Sequence, residues 1–210
     1  MRGLPIEAER ANTWTHLIGC VFALSSIWMV WPAVHHSWQM AFGVIFFIVG
    51  MFMMFAFSTS YHWVHQGNAK RVMRIFDHIG IYVMIACSYT PVCVGIVGGW
   101  LGWTLFGVQW AAVIGGIFYK VFAMGRFPRL SLAIYLVMGW SVLLVFKPVV
   151  ERLSPLAVVL LMAEGLLYSA GTWFFAHDNR RHFHAVWHVF VLLGSMAHWS
   201  VVLCMLLEQE

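Results

Sequence analysis

The chain has 210 residues, of which 62% are hydrophobic and only 10% are charged. Soluble domains carry about 25% charged residues, so this composition indicates a membrane protein and excludes a disordered tail or a nucleic-acid-binding module. The formal net charge of +4 is therefore expected to bear on membrane orientation. All four cysteines fall inside apolar runs without a Cys-x-x-Cys pair, which argues against a disulfide framework and a thiolate zinc site.

Seven apolar runs are each long enough to cross a hydrocarbon core about 30 Å thick, which takes about 20 helical residues. Alternating segments of about ten residues, which a transmembrane barrel requires, are absent. Because helices satisfy their own backbone hydrogen bonds inside lipid, we predict an all-α protein, a single bundle of seven transmembrane helices over residues 1–210. In chain order the predicted spans are 14–34, 38–61, 75–97, 103–122, 130–146, 155–175 and 186–207.

Lysine and arginine are distributed unevenly over the predicted loops. Only Lys147 and Arg152 lie on one side of the membrane. The other side holds ten of the twelve, namely Arg2, Arg10, Lys70, Arg71, Arg74, Lys120, Arg126, Arg129, Arg180 and Arg181. Basic residues are enriched in cytoplasmic loops, so we predict a cytoplasmic N-terminus and a C-terminus outside.

Several ionisable side chains lie at or inside the predicted spans, where each costs about 2.5–3.5 kcal/mol on insertion scales. His62 ends the second span, Asp77 opens the third, and His184 and His188 lie at the start of the seventh. Even-numbered spans end on the cytoplasmic side and odd-numbered spans begin there. These groups therefore lie at similar depth and could share one site.

The spacing of the histidines favours a metal site. His184 and His188 are four residues apart and so lie on one face of a helix. With His62 they offer three nitrogen ligands and leave a fourth position for water, which is the pattern of a catalytic zinc site. Asp77 is the candidate to orient that water or accept its proton. Ser58, one turn before His62, could hydrogen-bond to the same water.

The spacing by itself leaves other interpretations open. A histidine at the membrane interface is commonly an ordinary hydrogen-bonded side chain. Asp77 could instead cap the start of the third helix and pair with Arg74 or Arg71.

Three further polar residues lie within the spans. Glu164 is near the middle of the sixth, where a carboxylate must be protonated or paired with a cation, and His198 in the seventh is a conceivable partner. Both a structural hydrogen bond and a proton relay are consistent with this pair. His16, at the start of the first span, is expected to extend to the interface and not to bind a ligand.

Four groups of residues resemble the bacterial hemolysin III proteins, within the larger progestin and adipoQ receptor family that includes the adiponectin receptors. They are Glu9-x-x-Asn12-x-x-Thr15-His16, Ser58-Thr-Ser-Tyr-His62, Phe76-Asp77-His78 leading to Ala86-Cys-Ser-Tyr-Thr-Pro91, and His184-Ala-Val-Trp-His188 followed by Val-Phe-Val-Leu-Leu-Gly-Ser195 and His198. Together they cover nearly the whole chain in the order typical of the family.

The resemblance implies a seven-helix bundle with its N-terminus inside, in the inner membrane of a bacterium. It also implies that His62, His184 and His188 ligate zinc, and that Asp77 and Ser58 lie beside the metal-bound water. Eukaryotic relatives look like ceramidases, so the leading hypothesis is a zinc-dependent hydrolase of a lipid amide or ester, with membrane lipids as substrate or ligand. The alternatives are a non-enzymatic sensor or receptor with structural zinc, and a hemolytic factor.

Glu164 departs from the pattern of the family, in which close relatives carry glycine in a Gly-Gly pair before Leu-x-Tyr. Two explanations are open. Either the protein has a local specialisation at Glu164, or this side chain points into a cavity and modifies access to the site.

Overall fold

The computed structural model describes residues 6–180 and 182–208, and the regular structure within these ranges is entirely helical. Arg2, Arg181 and the C-terminal Glu210 lie outside the described residues. The α-helices of the described part are α1 (Ile6–Ser25), α2 (Val30–His36), α3 (Trp38–Trp63), α4 (Gly67–Thr90), α5 (Gly99–Ala123), α6 (Pro128–Trp140), α7 (Phe146–Arg152), α8 (Pro155–Ala176) and α9 (Phe183–Leu207).

These helices form seven segments that are long and apolar enough to cross a membrane, so the seven-helix fold is confirmed. The segments are Glu7–His36, Trp38–Trp63, Gly67–Val97, Gly99–Ala123, Pro128–Arg152, Pro155–Ala176 and Phe183–Leu207. Each contains one predicted span and extends beyond it or matches its start. The largest extension is in the third, which begins at Gly67 and not at residue 75. Polar residues such as Lys70 continue the helix beyond the apolar run that hydropathy detects.

Three of the seven segments change helical type along their length. The first contains a 3-10 turn at Ser26–Met29 and the fifth contains one at Ser141–Val145. The third continues α4 as a π-helical stretch, Pro91–Val97. Pro91 has no N–H to donate to the helix, which favours a local change in hydrogen bonding at this point.

The third segment ends where the backbone turns sharply into α5. Gly98 and Gly99 have φ angles of 59° and 55°, which are readily adopted by glycine because it lacks a Cβ. Arg152 at the end of α7 donates to the carbonyl oxygens of Ile96 and Val97 at 2.7 and 2.5 Å. The end of the third segment is thereby joined to the end of the fifth.

The third segment is the centre of the bundle, since 78% of the residues in its most apolar stretch are buried, compared with 22% in the sixth segment. It packs most extensively against α3. A Cβ added at Gly50 of α3 would lie only 2.3 Å from the Cβ of Cys87, so the small residue is what permits this close approach. The described cysteines are free, and Cys20, Cys87 and Cys93 are buried, as expected for small hydrophobic residues.

One basic residue used in the orientation argument is buried inside the bundle. Lys120 lies inside α5 and is 3% exposed. Its contribution to the count of cytoplasmic charge is therefore weaker than the sequence indicates, although the asymmetry of the remaining residues is large.

The predicted orientation can be tested by cysteine labelling in intact cells. We expect Asn68→Cys and Asn179→Cys to resist a membrane-impermeant thiol reagent, and Trp100→Cys and Glu151→Cys to react with it. All four positions are exposed in the fold, so a difference in labelling reports the side of the membrane and not burial.

Permeabilised cells provide the control, because all four variants should then be labelled. The reverse pattern in intact cells would show that the N-terminus lies outside.

Candidate metal centre

Three histidines from two helices meet at one end of the bundle. His62 lies one residue before the end of α3, and His184 and His188 lie in the first two turns of α9. Each offers a ligand atom, and these atoms all lie within 4.8 Å of one another. The ring centroids are 4.7, 4.9 and 5.0 Å apart. The group predicted from the sequence is thus brought together, and it could hold a metal ion.

Two of these histidines are oriented by oxygen atoms of α1. His62 Nδ1 is 2.6 Å from Glu9 Oε2, and His188 Nδ1 is 3.2 Å from the carbonyl oxygen of Asn12. Such an oxygen partner favours the tautomer with hydrogen on Nδ1, which leaves Nε2 to bind a metal. His62 Nε2 is buried and has no hydrogen-bond partner in the described part of the chain.

The third histidine has a weaker partner of the same kind. His184 Nδ1 is 3.6 Å from Asp178 Oδ2, in the connection between α8 and α9. Outer oxygen partners of this sort are typical of metal-binding histidines. The donor set therefore fits a metal ion that prefers imidazole nitrogen.

Glu9 is the hub of the polar contacts around the group. Besides His62, its carboxylate accepts from Lys70 Nζ at 3.0 Å, and Lys70 also donates to the carbonyl oxygen of Tyr61 at 2.7 Å. These bonds connect α1, α3 and α4. The Glu9 side chain is only 12% exposed, and its two partners offset part of the cost of desolvating the carboxylate.

The expectation that His16 extends to the interface is wrong. His16 is 3% exposed, and its ring stacks on that of His188 with centroids 3.6 Å apart and an interplanar angle of 14°. The reason is that α1 packs against α9 and turns the face that bears His16 into the bundle. His16 thus covers one side of His188, beside the three-histidine group.

Asp77 does not cap a helix. Because α4 begins at Gly67, Asp77 lies almost three turns inside it, and the capping interpretation is wrong. Asp77 and Ser58 line the same cavity as His184 and His188. Asp77 also lies close enough to His62 to interact with it electrostatically. Ser58 Oγ is buried without a hydrogen-bond partner among the described residues.

His78, the neighbour of Asp77, also lines the cavity. Lys120 Nζ lies 3.3 Å from its Nδ1. An ammonium group can only donate, so His78 Nδ1 accepts and the hydrogen of the neutral ring is on Nε2. The buried lysine therefore fixes the tautomer of His78.

The cavity extends from the histidines into the interior of the bundle, between the second, third, fifth, sixth and seventh segments, and His16 of the first segment also lines it. The volume of the cavity is about 110 Å³. Most of its wall is aliphatic or aromatic. At its deeper part lie Glu164 and His198, whose side chains hydrogen-bond at 2.7 Å. The partnership suggested by the sequence is confirmed, and Glu164 does face a cavity.

The profile of the family described as Haemolysin-III related matches residues 5–199. The chain belongs to the haemolysin III family. Hemolysin-3 of Bacillus cereus is 36% identical over 200 residues, covering 94% of this chain and 91% of that protein. The Hemolysin-3 homolog of Bacillus subtilis (strain 168) is 38% identical over 201 residues, covering 94% of each.

A more distant relative agrees with the resemblance to the broader progestin and adipoQ receptor family. The heptahelical transmembrane protein ADIPOR2 of Oryza sativa subsp. japonica is 29% identical over 185 residues, covering 74% of this chain and 78% of that protein. The word heptahelical in the name of that protein agrees with the seven segments found here.

Reasoning from the spacing missed the contribution of α1 to the centre of this haemolysin III protein. Glu9, Asn12 and His16 follow one another at intervals of three and four residues, which places them on one helical face. This spacing could have indicated that α1 contributes a polar face to the site. The side of the bundle to which this face turns is decided by packing against α3 and α9.

If the three histidines hold one ion, His188→Ala should leave two ligands and lower bound metal toward zero. The loss of bound metal should also lower the thermal stability of the folded protein. The measurement is elemental analysis of the purified variant together with its melting temperature.

His65→Ala is the matched control, because His65 is exposed and lies outside the group. Full metal occupancy in His188→Ala would contradict the assignment.

Glu9→Gln tests the orienting role of the carboxylate without removing a ligand. We expect metal affinity to fall by about 10- to 100-fold, the usual effect of losing an outer partner of a histidine ligand. A metal-competition titration with a chelator of known affinity measures this.

Glu151→Gln, at a carboxylate with 60% of its side chain exposed, should leave the affinity unchanged. Equal affinities in the two variants would remove the proposed role of Glu9.

Proposed function

We propose that this protein is a zinc-dependent hydrolase that cleaves an amide or ester of a membrane lipid from within the inner membrane of a bacterium. One observation carries the proposal. His184 and His188 of the three-histidine group line an apolar cavity together with a carboxylate, Asp77, and a hydroxyl, Ser58. A metal ligand set, a candidate base and a compartment for a hydrocarbon chain are thus adjacent.

Zinc is the metal that best suits this arrangement. Imidazole nitrogen is a preferred ligand of zinc, whereas magnesium and calcium prefer oxygen. Three protein ligands with a further position left for water are typical of catalytic zinc, whereas structural sites usually have four protein ligands. Zinc, when bound, polarises a carbonyl and lowers the pKa of a bound water toward about 7.

Asp77 is proposed as the general base. Its carboxylate accepts a proton from the attacking water and returns it to the leaving amine or alkoxide when the carbon–heteroatom bond breaks. It lines the same cavity as His184 and His188, which supports this role. Ser58 Oγ, which is buried in the same cavity wall, is placed to orient the water.

His78 supplies a hydrogen-bond donor. Since Lys120 occupies its Nδ1, the neutral ring presents N–H at Nε2. A donor in the cavity wall would stabilise the negative charge that develops on the carbonyl oxygen of the substrate.

The lipid substrate is proposed from the setting of the site. The polar groups open onto a cavity with a mainly apolar wall inside a bundle of membrane-spanning helices. Such a wall suits a hydrocarbon chain, because an acyl chain that leaves the bilayer for an apolar cavity stays in an apolar environment. The carbonyl at the head of an acyl chain would then lie near the histidines.

Asp77→Asn keeps the size of the side chain but cannot accept a proton. We expect a folded protein that retains zinc, with hydrolysis lowered by about 10²- to 10⁴-fold, the usual effect of removing a general base. Zinc content, melting temperature and hydrolysis of a short-chain ceramide are measured on the same preparation.

Ser58→Ala and Ser60→Ala provide a matched pair, because Ser58 is buried and Ser60, two residues further along α3, is exposed. Only Ser58→Ala should slow hydrolysis. A wild-type protein that holds zinc yet hydrolyses none of a broad panel of lipid amides and esters would contradict the hydrolase and favour a sensor with structural zinc.

A further inference from the structure

A second polar site lies in the same cavity, away from the histidine group. Glu164 of α8 and His198 of α9 are 9% and 2% exposed, and both line the cavity. Glu164 Oε2 is 2.7 Å from His198 Nδ1. The His198 ring also contacts the ring of Phe47, with centroids 4.8 Å apart.

The pair leaves the second nitrogen of the His198 ring free to make a further hydrogen bond. An apolar interior favours arrangements of the pair with no net charge. Either the carboxylate is ionised and the imidazole is doubly protonated, or the carboxyl group donates to Nδ1 and the neutral ring carries its hydrogen on Nε2. In both arrangements His198 Nε2 is a donor. This atom is buried and has no hydrogen-bond partner among residues 6–180 and 182–208.

A neighbouring hydroxyl extends the polar part of the wall. Tyr168, one turn beyond Glu164, lines the cavity, and its Oη lies 3.0 Å from Ser195 Oγ. Ser195 donates its own hydrogen to the carbonyl oxygen of Val191 at 2.9 Å, so Tyr168 is the donor to Ser195. The tyrosine oxygen therefore keeps lone pairs that can accept from a ligand hydroxyl.

The distance between the Glu164–His198 pair and the histidine group sets the spacing of the polar groups in a ligand that would contact both. His188 and His198 are ten residues apart on α9, which corresponds to about 15 Å of helical rise. An extended chain of single bonds advances about 1.2 Å per bond, a third of the rise of an extended residue. The two polar sites are therefore about twelve bonds apart along such a chain.

We propose that Glu164 and His198 form a subsite for an oxygen-bearing acyl chain, whose hydroxyl or keto oxygen lies about twelve bonds from the carbonyl held at the histidine group. This inference rests on the proposed function, since it names the class of lipid that the hydrolase would prefer. The oxygen accepts from His198 Nε2. The apolar wall between the two sites holds the intervening methylene groups.

The experiment compares the binding of two fatty amides that differ only in a hydroxyl group about twelve bonds from the carbonyl. Purified zinc-loaded protein in nanodiscs is incubated with an equimolar mixture, and the retained lipids are quantified by mass spectrometry. We expect about a tenfold preference for the hydroxylated amide, consistent with the gain of one hydrogen bond. An isomer with its hydroxyl beside the carbonyl should show no preference.

The variant is the double substitution Glu164→Leu with His198→Phe, because replacing a buried polar pair by apolar residues is often neutral or stabilising. It should retain the plain amide and lose the preference. Tyr119→Phe is a matched control, since the Tyr119 hydroxyl bonds to Phe127 outside the cavity. Equal retention of both amides by the wild type, retention of neither, or a preference that persists in the double variant would overturn the subsite.

Hydrolysis of the two amides is measured in parallel. A binding preference without hydrolysis would remove the proposed enzyme and leave the subsite. Hydrolysis of both amides without a binding preference would support the proposed enzyme and remove the subsite.

Discussion

The hydrogen bond between Glu9 and His62 joins the first two membrane-spanning segments at the point where the polar centre is built. A carboxylate near an apolar interior needs partners, because desolvation of an unpaired charge costs several kcal/mol. Glu9 has two, His62 and Lys70, and these come from different helices. The same bond orients the imidazole so that Nε2 faces the other histidines. The requirement to pair one charge thus fixes both the packing of three helices and the geometry of the ligand group.

The close approach of α8 and α9 has a comparable role at the deeper site. A Cβ added at Gly194 would lie 2.8 Å from the ring of Tyr168, so a larger residue there would push the helices apart. The approach permits both interhelical contacts, between Tyr168 and Ser195 and between Glu164 and His198. Two polar sites on one helix, α9, are thereby held at a fixed separation along one cavity.

The two sites differ in how they relate to the family pattern. The three histidines, Asp77 and His198 belong to the residues that carry the resemblance to hemolysin III proteins, whereas Glu164 is not among them. Glu164 contacts His198 and lies away from the three-histidine group. The deeper site thus combines one residue that carries the resemblance with one that does not.

The sequence by itself determined the number of spans, the membrane class and the spacing of His184 and His188. These follow from hydropathy and helical periodicity, which are local properties of the chain. It also suggested that His62 and Asp77 share the depth of those histidines, because spans alternate in direction. The sequence did not predict that α4 begins at Gly67, because polar residues extend the helix beyond the apolar run.

Only the tertiary structure decided which faces of the helices meet. It buried His16 against His188, paired Glu9 with His62, and placed Lys120 inside the bundle beside His78. It also showed that Glu164 and His198, whose contact the sequence suggested, line one part of a cavity. Each of these outcomes depends on the rotation and contact of helices far apart in sequence. That choice is made by the sum of packing and polar pairing across the bundle, which no single stretch of sequence contains.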